Sequence, residues 1–305
     1  MTKPTLADYL QLHFIVVIWG FTAILGKFLE PLSSPVVVLY RTLLAAGGMA
    51  LVLYARKQSV QLAPGERLRL LATGGLIALH WIAFFAAARI ANVSVCLAGM
   101  ATSSLWASLL EPLLLRRRIR SVEVFLGAVV MVGLYLIFRF EFDKMAGLLM
   151  AVLSAMLSSL FTIINSRFTQ RHNALVISFY EMSGAFVTSA LFVGLLLGFG
   201  QSEGPLVPVS GLHWLWLAIL SFVCTVYAYT IGIRLLRKFS PYMAVLTVNL
   251  EPVYGILLAV VIFGSSERMT PGFYAGTLVI LAAVLAYPFL NRTMRKTQVQ
   301  LPTST

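Results

Sequence analysis

Ten runs of mainly apolar residues, at about 11–29, 35–55, 68–90, 93–115, 121–140, 146–166, 174–198, 212–235, 240–263 and 270–290, divide nearly the whole chain between them. Each is long enough to cross ~30 Å of hydrocarbon as an α-helix rising ~1.5 Å per residue. In lipid every backbone N–H and C=O must be satisfied within the protein, and for runs of this length the helix is the structure that does so. Composition agrees: 59% of the 305 residues are hydrophobic and 11% are charged, against ~25% charged in soluble domains. The expected fold is an all-α membrane protein of ten transmembrane helices with no soluble domain between them. The longest connection, around Gly200–Gly211, is rich in Gly, Pro and Ser and reads as a loop. A single Lys3 precedes a run that continues through Trp19 to Lys27, the pattern of an uncleaved first span rather than a signal peptide.

The formal net charge of +12 records topology. Ten spans place both termini on one side. That side receives Lys3, Arg56, Lys57, Arg67, Arg69, Arg116, Arg117, Arg118, Arg120, Arg167, Arg171, Arg237, Lys238, Arg292, Arg295 and Lys296. The other receives only Lys27, Arg89, Arg139, Lys144 and Arg268. So strong a bias puts the termini in the cytoplasm. It calls for no nucleic-acid partner, and membrane lipids are the natural counterpart of the charge. Cys96 and Cys224 fall within apolar runs and read as small buried residues. No His/Cys cluster suggests a metal, and no cofactor is expected.

A weak repeat runs through the chain. Adding 140 carries Lys27 onto Arg167 and Tyr40-Arg41 onto Tyr180-Glu181, and adding 149 carries Phe125-x-Gly127 onto Tyr274-x-Gly276. The constant order points to a duplication, with one five-helix half at 1–140, a second at 141–292 and a short tail at 293–305. An odd number of spans per half inverts the second half relative to the first. Inverted repeats of this kind place a binding site near their shared midplane.

Polar residues within the spans are the candidates for that site. Asn249, Glu251 and Pro252 lie near the middle of the ninth run. A mid-membrane carboxylate costs ~2.5–3.5 kcal/mol on insertion scales and should face protein or water. Pro252 cannot donate to the Val248 carbonyl, so the helix should break there. The structural alternative is a packing kink whose Glu holds two helices together. Arg41 stays charged and needs an anion, either a substrate carboxylate or a protein Glu, while Glu181 suits a cation or a titrating role. Both also fit lateral ion pairing near helix ends. Trp19 sits mid-span and needs an indole N–H partner or a cavity. His80-Trp81, followed by Phe84-Phe85, fits an apolar cavity with one polar handle, or a hydrogen-bonded helix contact. Ala101, Ser104, Ser108 and Glu111 recur at helical spacing in the fourth span, and Ala244, Thr247, Glu251 and Tyr254 in the ninth. In the eighth, Tyr227 and Tyr229 face either a cavity or the interface.

Among short motifs, no HExxH or nucleotide-binding loop is present. The residues Trp19-Gly20, Asn92-Val93-Ser94-Val95, Leu250-Glu251-Pro252-Val253 and Gly264-x-x-Glu267-Arg268 resemble the drug/metabolite transporter superfamily, specifically its EamA-type ten-span members. Two features depart from that pattern: Ser104 stands where the family often has Pro, and Arg116, Arg117 and Arg118 replace its first Gly-Glu element. The resemblance implies alternating-access transport of a small metabolite, frequently export of amino acids or related compounds, in the inner membrane of a prokaryote. It also implies a cavity walled by spans one, three, four, six, eight and nine. On this reading Trp19, Tyr40, His80, Trp81, Tyr227, Asn249 and Glu251 contact substrate. Arg41, Glu111, Glu181, Glu251 and Pro252 then serve coupling or gating, with protons as a coupling partner. A membrane-embedded enzyme using Glu251 and His80 on a lipid-linked substrate, or a passive channel, would use the same segments differently. Gly47-Gly48 and Gly74-Gly75 suit packing within or between chains, leaving the oligomeric state open.

Overall fold

A computed structural model describes residues 4–116, 121–201 and 204–300. Lys3, Arg117, Arg118, Arg120 and the last five residues of the tail lie outside the described residues, as does part of the Gly200–Gly211 connection. Among the described residues the chain is helical, and nine helical spans are long and apolar enough to cross a membrane. They are span 1 (Leu6–Phe28), span 2 (Ser34–Ala55), span 3 (Pro64–Ile90), span 4 (Val93–Leu115), span 5 (Ser121–Phe140), span 6 (Phe142–Phe168), span 7 (Ala174–Gly198), span 8 (Gly211–Leu235) and span 9 (Pro241–Glu267). Span 10 (Pro271–Gln300) is apolar over Pro271–Ala283.

Local chemistry sets where the spans begin. Thr5 and Asp8 form a capping box at span 1. The side chains of Asn92, Asn173, Ser210 and Ser240 accept from backbone N–H groups in the first turns of spans 4, 7, 8 and 9. Proline occupies the first turn of spans 2, 3 and 9, where its missing N–H costs nothing. Span 3 begins at Pro64, ahead of the expected 68, because its first turn is polar but still helical.

Span 3 packs along spans 6 and 7, span 4 lies against spans 6 and 9, and spans 5 and 10 pair with each other. The crossing of spans 3 and 7 depends on glycine. A Cβ at Gly74 would lie 2.1 Å from the Glu181 carbonyl oxygen, and one at Gly184 would lie 2.1 Å from that of Leu71. Gly74 therefore serves packing within the chain. Cys96 and Cys224 are buried and unpaired by disulfide.

Candidate functional site

Span 9 is interrupted where the sequence anticipates. Its halves, Pro241–Val248 and Glu251–Phe263, are joined by a tight turn at Asn249-Leu250. Span 4 is interrupted too, between Val93–Met100 and Ser103–Leu115, with no proline at the break. There the hydroxyls of Thr102 and Ser103 bond back to the carbonyls of Gly99 and Met100, at 2.8 and 2.5 Å. Such bonds compete with the helical ladder and favour a local break. Leu105 N–H turns to Thr102 O and so releases the Ala101 carbonyl. Asn249 Nδ2 donates to that carbonyl at 2.9 Å, joining one interruption to the other.

The ends of the same two spans are tied reciprocally. Glu267, fully buried at the end of span 9, accepts from Val93 N–H (3.1 Å) and Ser94 N–H (2.9 Å) at the start of span 4. Glu111, near the end of span 4, accepts from Tyr242 N–H (3.1 Å) at the start of span 9. Each carboxylate meets the positive end of the other span's helix dipole. Glu111 thus supplies a carboxylate for the first half although the Gly-Glu element is missing there.

Between these spans and spans 1, 2, 3, 6 and 8 lies a cavity with about 910 Å³ of empty space, its open mouth included. Its lining runs from Trp19, Arg41 and Glu251 at mid-depth to Leu12, Leu236 and Ala244. It therefore faces the end of the bundle that carries the N-terminus. The opposite end is filled. Gly26 admits the fully buried ring of Phe85, Phe28 packs on Trp216 and Phe263 (5.2 and 5.6 Å between centroids), and Lys27 pairs with Glu267 at 3.5 Å.

The cavity wall is mostly apolar, with polar groups at mid-depth. Trp19 Nε1 donates to the Cys224 carbonyl at 3.1 Å. That carbonyl belongs to a π-helical stretch, Ile219–Tyr227, in span 8. In the same stretch Thr225 Oγ1 donates to Leu220 O (2.9 Å) and accepts from Arg41 Nε (2.9 Å). The Arg41 guanidinium lies over the Trp81 ring at 3.6 Å, a cation–π contact. Among the described residues no carboxylate is in ion-pair contact with Arg41. His80 Nδ1 is 2.9 Å from the Ser154 carbonyl. The same Nδ1 lies 2.7 Å from the Ser154 hydroxyl, which also donates to the His80 carbonyl at 2.9 Å. Glu251 opens the second half of span 9, is 6% exposed and lines the cavity, with no hydrogen-bond partner among the described residues.

The structure gathers Trp19, Arg41, His80, Trp81 and Glu251 around one cavity and sets the other candidates elsewhere. Tyr227, expected at the substrate, is 46% exposed and packs edge-on to Phe14, on the outer face. The cavity tyrosine is Tyr229, whose hydroxyl donates to Glu181 Oε2 at 2.8 Å and accepts from Asn165 Nδ2 at 3.2 Å. Glu181 itself is fully buried behind that tyrosine, off the cavity wall. Tyr40 packs against Trp214 (5.5 Å) and is also off the wall. Asn249 and Glu111 join the two broken spans, and Pro252 sits in the first turn of the second half-helix, shaping span 9 from outside the cavity. Thr22, Ser103, Ser158 and Thr162, which are not among the candidates from sequence, also line the cavity. Small hydroxyl residues recur throughout the spans, so only their helical phase relative to Trp19 or Glu251 sets them apart.

An all-helical membrane protein with two interrupted spans meeting beside a one-sided cavity is the architecture of a carrier. The model of the EamA-like transporter family matches residues 9–139 and again 145–298, and the chain belongs to that family. It is therefore an integral membrane protein of the transporter class, built from two copies of one domain. Among solved structures, one crystal structure of a protein is similar over 93% of this chain and 97% of its own, at 19% identity and a TM-score of 0.67. That likeness concerns the fold. No curated protein matches the chain significantly.

Proposed function

We propose that the chain is a secondary active transporter that exports a small polar metabolite, an amino acid or a related compound, by alternating access. The observation that carries this reading is that Arg41 and Glu251 line one cavity and feel each other's charge without a direct salt bridge. Two opposite charges that face one cavity without touching leave room between them for a zwitterion, which supplies both counter-charges at once. The substrate carboxylate meets the Arg41 guanidinium, held in place by Thr225 and Trp81. Its ammonium meets Glu251, and its side chain rests on Phe84, Phe161 and Met100.

With the termini in the cytoplasm, as the positive-inside bias suggests, the cavity opens inward, and the family resemblance implies the inner membrane of a prokaryote. In the outward state the tie between Lys27 and Glu267 parts and the N-terminal ends of the lining close. Glu251 exchanges its cationic partner between substrate and proton, which couples the two fluxes.

Counterflow in proteoliposomes tests this. Vesicles preloaded with individual unlabelled amino acids should take up the labelled compound saturably and selectively. Uptake of labelled solute that stays linear with concentration would instead mark a channel, and a chemically altered product would mark an enzyme.

A further inference from the structure

A second hollow lies outside the carrier cavity, on the outer face of the bundle between spans 3, 4 and 6. It holds about 1370 Å³ of empty space, open solvent included, at the end that carries the termini. Two of the three spans that wall it, 3 and 6, carry the same gradient. Span 3 contributes Arg69, then Ala72 and Leu76 deeper in the bilayer, and span 6 contributes Arg167, then Ile163 and Ile164 deeper, with Arg171 in the turn that follows span 6. The one acidic residue on the wall, Glu66, already pairs with Arg171 at 3.8 Å and lies 3.1 Å from His172 Nε2. Arg167 donates to the Leu114 carbonyl, which fixes its guanidinium at the mouth. Arg69 is exposed and has no ion-pair partner among the described residues.

Arginine at the headgroup level above an apolar trough is the imprint of an amphiphile with an anionic head. A free phosphate would use the arginines and leave the trough unfilled. A zwitterionic lipid would fill the trough without neutralising the arginines. Basic pockets between transmembrane helices on the cytoplasmic side select anionic headgroups in this way. We propose that this groove is a specific site for an anionic phospholipid, with its phosphodiester on Arg69, Arg167 and Arg171 and one acyl chain along Ala72, Leu76 and Ile164. Bound there, the lipid bridges spans 3 and 6, two walls of the carrier cavity, and stabilises their packing.

Native mass spectrometry of delipidated protein tests the site, using equal amounts of phosphatidylglycerol and phosphatidylethanolamine with identical acyl chains. The wild type should retain phosphatidylglycerol preferentially. Arg69→Gln should cut that preference by roughly fivefold, the scale for one basic side chain at an anionic surface. Arg69→Gln/Arg171→Gln should cut it further, while Arg56→Gln at the exposed end of span 2 should not change it. Ala72→Trp keeps every charge and fills the trough, so it should lower retention of both lipids. Two results would overturn the proposal. One is an undiminished preference in the double variant, and the other is displacement of the lipid by millimolar glycerol phosphate as readily as by phosphatidylglycerol.

Discussion

Trp19, Arg41, His80, Trp81 and Glu251 come from four different spans and share one cavity. These residues were legible in the sequence because a polar or aromatic group at mid-span has to avoid lipid. The choice between Tyr227 and Tyr229 was not legible. Two residues apart on a helix face nearly opposite directions, and the π-helical stretch before Tyr229 shifts the phase further. Substitutions separate the roles. Tyr229→Phe removes the hydroxyl that joins the cavity wall to Glu181 and should slow counterflow by about tenfold, whereas Tyr227→Phe should leave it unchanged. Equal rates in the two variants would place Glu181 outside the mechanism. Glu251→Gln should abolish counterflow while thermal unfolding of the solubilised protein stays near the wild-type value.

Interrupted helices, more than individual side chains, give the site its form. Pro252 announced the break in span 9. The break in span 4 was hidden because Thr102 and Ser103 make it through side-chain hydrogen bonds that composition does not reveal. The tie from Glu267 to Val93 and Ser94 was likewise hidden, since it joins residues far apart in the chain. Glu267→Ala removes two hydrogen bonds to a buried carboxylate, each worth roughly 1.5–3 kcal/mol, and should lower the unfolding temperature of the solubilised protein measurably. Gly74→Ala should cost about 1–3 kcal/mol by driving spans 3 and 7 apart, read in the same melt.

Glu141, in the turn between the two halves, ties the start of span 10 to the end of span 5. It accepts from Thr270 N–H (3.0 Å), Thr270 Oγ1 (2.8 Å) and Lys144 (2.7 Å). Burial pushes its carboxyl up, but the bonds from Lys144 and Thr270 outweigh this and hold it below its ordinary value. A depressed carboxylate stabilises the fold above its unfolded pKa, and that contribution is lost as pH falls through the folded one. Acid should therefore lower the wild-type unfolding temperature more steeply than that of Glu141→Gln, and parallel curves would remove the Glu141 tie from the acid response.

At the scale of the whole molecule, the number of spans and the duplication could be read directly, because bilayer thickness sets the length of each apolar run. Helix ends could not, since hydropathy marks the membrane while span 10 stays helical into polar sequence. The two halves, antiparallel in the bilayer, hold each other through Glu111, Glu267 and the Asn249–Ala101 bond. They leave a cavity open at one end only. Transport requires the same cavity to open at the other end. The direct test is a single cysteine at Ser103 with Cys96 and Cys224 replaced, probed in sealed vesicles by a membrane-impermeant thiol reagent from each side in turn. Alternating access predicts labelling from either side, with substrate shifting the balance between them. Labelling from the N-terminal side alone, with or without a substrate that the protein exchanges, would contradict it.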